Sequence, residues 1–229
     1  MRIISGKYKG RHFDIPRSFK ARPTTDFAKE NLFNILNNTV DFEETKALDL
    51  FAGTGSISLE LLSRGCSEVT SIEMDSLHFS FLKKSQATLG DNNWRIVRDD
   101  VFRFIRRCTA QYDLIFADPP YALKELSEIP DMILNGNMLK EGGLFIFEHG
   151  KDYDFSLDKQ TTSFFRSDFR GARFENIKFF NAIKDKEKTQ SPSFRPPYYY
   201  QVPLTFIPGL GGKTIDKLLN AFETEMNIL

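Results

Sequence analysis

Asp118, Pro119, Pro120 and Tyr121 follow the apolar run YDLIF, Tyr112 to Phe116, which reads as a buried strand, so a carboxylate, two prolines and a phenol stand just beyond a strand's carboxyl end. In open α/β sheets, ligands bind at that edge. These residue types suit the activation of an exocyclic base nitrogen, which is a poor nucleophile because its lone pair is delocalised into the ring. If Asp118 and the main-chain carbonyl of Pro119 accept its two hydrogens, the nitrogen moves toward tetrahedral geometry and its lone pair turns to face a methyl donor. The prolines fix φ and hold that carbonyl stiffly, and Tyr121 offers a ring on which a flat base stacks. The remaining work is positioning for in-line transfer, for which proximity supplies about 7 to 11 kcal/mol of the barrier.

A second constellation lies upstream. In LDLFAGTGSISLE, Leu48 to Glu60, Gly53 and Gly55 sit between a strand and a helix, where a missing Cβ lets backbone N–H groups approach a ligand at the positive helix end. The pattern is G-x-G only; the dinucleotide fingerprint fails at its third position, Ser58. Asp49, inside the strand, is costly to bury unless it accepts hydrogen bonds from the loop or faces a cation. S-adenosylmethionine offers such cations in its amino group and its sulfonium. Glu73, at the end of the next strand, is placed to hold a ribose diol. In RDDVF, Asp100, with Asp99 as second choice, is placed to accept from an adenine amino group, and Phe102 to pack on the ring. Each acid alone also fits a solvated surface, and the glycines a packing turn. Three acids at three successive strand ends weigh against that plainer reading.

The elements that must carry these residues alternate in type. KALDLFA, EVTSIEM, WRIVRDD, YDLIFAD and GGLFIFEHG read as strands, and SISLELLSRG, SLHFSFLKKSQATLG, VFRFIRRC and LSEIPDMILNGN as the helices between them. That order predicts an α/β fold, a mostly parallel sheet with right-handed crossovers. TTSFFRSDFRGARFENIKFFN, turning at Gly171, predicts an antiparallel C-terminal hairpin. RIISGKYKGRHFDI predicts a basic β-hairpin at the front, with turns at Gly6 and Gly10, and RPTTDFAKENLFNIL a helix capped by Thr24, Thr25 or Asp26. The expected domains are therefore 1–40 for hairpin and first helix, 41–183 for the sheet, 184–203 for a charged, proline-containing linker and 204–229 for a tail.

The 229 residues, 41% hydrophobic and 27% charged, suit a globular protein with a full core, and 31 basic against 31 acidic side chains give no global attraction to nucleic acid. The bias is local: residues 1 to 36 hold eight Lys/Arg against three acids. Cys66 and Cys108 make neither a disulfide framework nor, with three scattered histidines, a metal cluster, so both are expected in the core and no metal is expected. With no long apolar run and no signal-like start, a cytoplasmic protein with no membrane association is expected, as a monomer.

MRIISGKYKGR, RPTTDFAKENLFNIL, LDLFAGTGSISLELLSRG, FADPPY and LKEGGLFIFEHG, in this order over about residues 1 to 180, resemble the RsmD-type 16S rRNA guanine-N2 methyltransferases. DLFAGTG and DPPY are shared with many amino-methyltransferases; RIISGKYKGR followed by RPTTD is more specific. The resemblance implies a Rossmann-like class I S-adenosylmethionine-dependent methyltransferase fold, with Asp118, Pro119, Pro120 and Tyr121 as the catalytic motif. It implies that Asp49, Phe51, Gly53, Gly55, Glu73, Asp100 and Val101 surround S-adenosylmethionine, and that Arg2, Lys7, Lys9, Arg11 and Arg22 lie where RNA is met. The implied partner is 16S rRNA or the small ribosomal subunit, its guanine presented unstacked. Two departures stand out. FRGARFENIKFF matches the family's closing run loosely, and about 45 further residues follow. Within them, FIPGLGGKTIDKLLNAF resembles a helix-hairpin-helix motif, whose PGLG turn and Lys213 would meet a phosphate; an inert packing segment is the competing reading.

The same DPPY motif serves adenine N6, so a DNA or RNA adenine methyltransferase is the alternative enzyme. A nucleic-acid-binding protein with an inactive methyltransferase fold is the alternative outside enzymes, and intact Asp49, Glu73 and Asp118 count against it. A protein glutamine methyltransferase would carry Asn at position 118.

Overall fold

A computed structural model describes residues 1–19 and 24–149 and the backbone of 177–181. Arg22, the first run of the C-terminal hairpin with its Gly171 turn, the linker and the tail lie outside the described residues. The chain divides into Met1–Lys186 and Glu187–Leu229, and all described residues belong to the first unit.

Thr25 caps the first helix, α1 (Asp26–Leu36), its hydroxyl accepting from the Ala28 N–H, and Ala28, Leu32, Phe33 and Leu36 form its buried stripe. Strand and helix then alternate: β1 (Lys46–Leu50), α2 (Ser56–Ser63), β2 (Glu68–Glu73), α3 (Ser76–Leu89), β3 (Trp94–Arg98), α4 (Val101–Arg107), β4 (Tyr112–Ala117), α5 (Ile129–Leu134) and β5 (Leu139–Glu148). Gly90, at φ 71, ends α3 in the left-handed conformation that favours glycine. β5 starts at Leu139 rather than at Gly142, because Leu139 pairs with Tyr112 across an irregularity that restores register at Leu114 and Leu144.

The sheet order is β3-β2-β1-β4-β5-β6, with the first five strands parallel and β6 (Ile177–Asn181) antiparallel to β5. The chain starts at β1, steps outward to β3, then returns to β4 on the other side. The carboxyl ends of β1 and β4 therefore flank the point where strand order reverses, where doubly wound sheets form a crevice. Alternation along the strands separates two cores. Ala47, Val69, Leu114, Phe116, Leu144 and Ile146 face a core shared with α1, α2 and α3, and Leu48, Leu50, Ile72, Ile115, Phe145 and Phe147 face one shared with α4 and α5. Cys66 is buried in the first core, and burial pushes its thiol pKa up to about 12.

The front hairpin is smaller than expected. It is a single bridge, Arg2 opposite His12, with Ile3 N–H to Arg11 O at 3.1 Å and Phe13 N–H to Met1 O at 2.9 Å. The turn seats on the end of α2 instead of extending into strands. Lys7 N–H donates to Ser63 O at 2.7 Å, and a Cβ on Gly6 would stand 1.9 Å from that oxygen, so only glycine fits there. Among the described residues no helix is long and apolar enough to cross a membrane.

Candidate active site

Side chains alternate between sheet faces, so the strand registers fix where each acid points. Asp49 stands level with Ser71 on β2 and Phe116 on β4, and Phe116 with Ile146 on β5. Two residues further along these strands come Glu73, Asp118 and Glu148. All four acids therefore belong to the face that packs on α1, α2 and α3, at the carboxyl ends of their strands.

Asp49 is buried and fully engaged on one oxygen. Its Oδ2 accepts from the Ser58 hydroxyl and from Ser58 N–H at 3.2 Å, Ser58 Oγ lies 2.6 Å from Ser71 Oγ, and the Trp94 indole N–H donates to Ser71 Oγ at 2.7 Å. A polar chain thus runs from Trp94 on β3 through β2 and α2 to Asp49 on β1. Burial pushes the Asp49 pKa up from 3.8 to about 7, against the hydrogen bonds from Ser58; the Asp118 and Glu73 charges push the same way as burial. Sequence reasoning missed the chain, because its members touch only once four elements are folded.

The loop after β1 is strained where a ligand would approach. Phe51 has φ 62, a left-handed conformation in a bulky residue, and strain of this kind concentrates at functional sites. The two glycines have different causes. A Cβ on Gly55 would lie 2.5 Å from Leu82 Cδ2, so Gly55 lets α2 pack on α3, whereas a Cβ on Gly53 would meet only Phe51 O at 3.8 Å and points into open space. The Ser56 hydroxyl, in the first turn of α2, is buried with no hydrogen-bond partner among the described residues. Glu73 props this loop: one oxygen accepts from Gly53 N–H and the other from Asp75 N–H, each at 2.7 Å. The room above Gly53, the unpartnered Ser56 hydroxyl beside it and the Asp49 and Glu73 carboxylates at the strand ends could together hold a ligand that carries both a cation and a diol, as S-adenosylmethionine does.

Asp99 and Asp100 divide their tasks. Asp99 is buried and ion-paired to Arg103 at 2.5 Å and to Arg107. Asp100 caps α4, its Oδ1 accepting from Arg103 N–H at 2.9 Å, and lies half-buried at the site edge. Val101 is buried at the start of α4, and Phe102 packs half-buried against the second core. Asp118 is half-buried, Pro119 buried and Pro120 exposed. The Tyr121 hydroxyl donates to Glu148 Oε1 at the end of β5.

The family described as Conserved hypothetical protein 95 matches residues 1–180. The chain belongs to that family. It is 35% identical over 148 residues to Ribosomal RNA small subunit methyltransferase D of Escherichia coli, covering 65% of this chain and 74% of that one. The namesake of Haemophilus influenzae is 33% identical over 156 residues, covering 66% and 80%. Among solved structures, a candidate methyltransferase of E. coli superposes with a TM-score of 0.70 at 28% identity, covering 80% of this chain and 98% of that chain. The protein is accordingly a methyltransferase.

Within this family fold, the N-terminal cations are not gathered at the crevice. Lys7 pairs with Asp91 at 3.1 Å, Arg11 reaches Leu89 O at 3.4 Å, and both lie 5.0 Å from the Tyr8 ring centroid, whose hydroxyl also binds Asp91. Ser63, Leu89 and Asp91 mark the amino-terminal edge of the sheet, so Lys7, Lys9 and Arg11 sit at the end opposite Asp118. Arg2 pairs with Asp26 at 3.0 Å. Lys29, counted among the basic residues in the sequence, is only 1% exposed and pairs with buried Glu60 at 3.3 Å.

Proposed function

We propose that this protein transfers the methyl group of S-adenosylmethionine to the exocyclic N2 of a guanine in small-subunit rRNA. What carries the reading is Asp118 at the end of β4, on the same sheet face as Asp49 and Glu73, in a chain whose relatives are named small-subunit rRNA methyltransferases.

Asp49 would take the cofactor's amino group, Gly53, Gly55 and Ser56 its methionine portion, Glu73 its ribose, and Asp100 its adenine amino group between Phe51, Val101 and Phe102. When bound, S-adenosylmethionine supplies an electrophilic methyl carbon on a cationic sulfur. The chain's own task is to make the guanine nitrogen nucleophilic. Asp118 would accept one N2 hydrogen and the Pro119 carbonyl the other, freeing the lone pair; as the methyl passes from sulfur to nitrogen, leaving a neutral thioether, Asp118 would take the proton and pass it to solvent. Tyr121 stacks on the unstacked base. Arg2, Lys7, Lys9, Arg11 and Arg22 contribute salt-dependent attraction to the RNA backbone.

The test is incubation with methyl-labelled S-adenosylmethionine and small subunits lacking modification, followed by digestion of the rRNA. Label in N2-methylguanosine, absent with Asp118→Ala, is expected. Label in an adenine would replace the guanine reading, and no label despite cofactor binding would remove rRNA as the substrate.

A further inference from the structure

Glu148 is a buried acid at the crevice to which the proposed reaction gives no task. It ends β5 at 1% exposure. Ala117 pairs with Phe147 in the last pair of the ladder, and Asp118 and Glu148 follow directly on the two neighbouring strands, which lie about 5 Å apart. After Asp118 the chain passes through two prolines and returns, and the Tyr121 hydroxyl donates to Glu148 Oε1. The loop that carries the proposed catalytic motif is thereby tied across the gap to the neighbouring strand.

Tyr121 is 41% exposed. One end of its side chain is set by the loop backbone and the far end by an acid in the core, and a phenol has only two torsions between them. A hydrogen bond to a carboxylate is about twice as strong as a neutral one, enough to select one ring orientation while leaving the ring accessible. Loose aromatic rings lose rotamer freedom on stacking; a ring already held does not.

We propose that Glu148 is a positioning residue that pins Tyr121 by its hydroxyl, so that the stacking platform for the base is set before the base arrives. This rests on the methyl-transfer reading above. Glu148 does not touch the base; its effect passes through Tyr121.

The test uses the full chain and four variants: Tyr121→Phe, Glu148→Leu, the double Tyr121→Phe/Glu148→Leu, and Glu148→Gln, which keeps the acceptor oxygen. S-adenosylmethionine affinity by calorimetry is expected to match the wild type in all four. The kcat/KM for unmodified small subunits is expected to fall about tenfold, equivalent to about 1.4 kcal/mol, in either single variant. The double variant should fall no further, and Glu148→Gln should stay within about threefold of the wild type. An unchanged Glu148→Leu, losses that multiply in the double variant, or a Glu148→Gln as poor as Glu148→Leu would overturn the inference. If the wild type labels no rRNA, the substrate reading fails separately, and the pairing is then read from melting temperatures of the same proteins: non-additive shifts support it and additive shifts reject it.

Discussion

Asp49 is the residue through which pH should act most directly. Its folded-state pKa is raised from 3.8 to about 7, so between about pH 4 and 7 the folded chain holds a proton that the unfolded chain has released. Stability therefore falls as pH rises across that window. Denaturant melts from pH 4.5 to 8 are expected to show this decline, and Asp49→Asn, with no proton to lose, to flatten it. A cationic ligand reverses the preference by favouring the carboxylate. Below pH 7, S-adenosylmethionine binding should release a proton and weaken as pH falls, approaching tenfold per unit well below that value; calorimetry in two buffers of different ionisation enthalpy measures both. Asp118→Ala should leave this binding intact while abolishing transfer, which separates the two acids. Asp49 was legible in the sequence because it interrupts an apolar strand, and Asp118 because it ends one. Ser58, Ser71, Trp94 and Glu148 were not, since their meaning depends on registers between strands.

At the scale of elements, the glycine loop and the packing of α1 on α2 carry the clearest expectations. Gly55→Ala drives a methyl to 2.5 Å from Leu82 Cδ2 at φ 73, whereas Gly53→Ala meets only Phe51 O, at 3.8 Å, at φ 55. The first should cost more stability, about 1 to 3 kcal/mol of overpacking beyond the backbone strain. The second should cost about the 1 to 2 kcal/mol of left-handed strain alone while weakening cofactor binding; urea titration with calorimetry separates them. Glu60 accepts from Ile4 N–H at 2.6 Å and pairs with both Lys29 and Arg64. Glu60→Ala strips Arg64 of its carboxylate and leaves buried Lys29 only Asp26 at 3.5 Å, and should cost about 3 to 5 kcal/mol in denaturant unfolding. Apolar runs and caps made the parallel strands and helices legible. The front hairpin was overread, because alternation over so few residues does not distinguish strands from a loop seated on a helix end. Lys29 looked like a surface cation, since its partner Glu60 comes from another helix.

For the whole molecule, the distance between the N-terminal cations and the crevice matters most. The strands set it: the five residues of β1 alone rise about 16 Å. An RNA that reaches both Asp118 and Lys9 must wrap the edge of the domain. Lys9→Glu is therefore expected to weaken binding of whole small subunits and to lower the salt slope by about 0.7 to 0.9 per lost phosphate contact. S-adenosylmethionine affinity and binding of a short fragment around the target base should not change; filter binding across a salt series checks this. The class of fold was legible from the alternation of elements. The strand order, which decides that β1 and β4 flank the crevice, was not, because crossovers leave no local mark. The face shared by Asp49, Glu73, Asp118 and Glu148 also governs which changes in chain length the family can tolerate. Losing one residue inside β1, β2, β4 or β5 would turn the acid beyond it to the other face, into the core against α4 and α5. Insertions and deletions must therefore gather in the connections below the sheet, and relatives that differ in length should keep these four strand ends in frame.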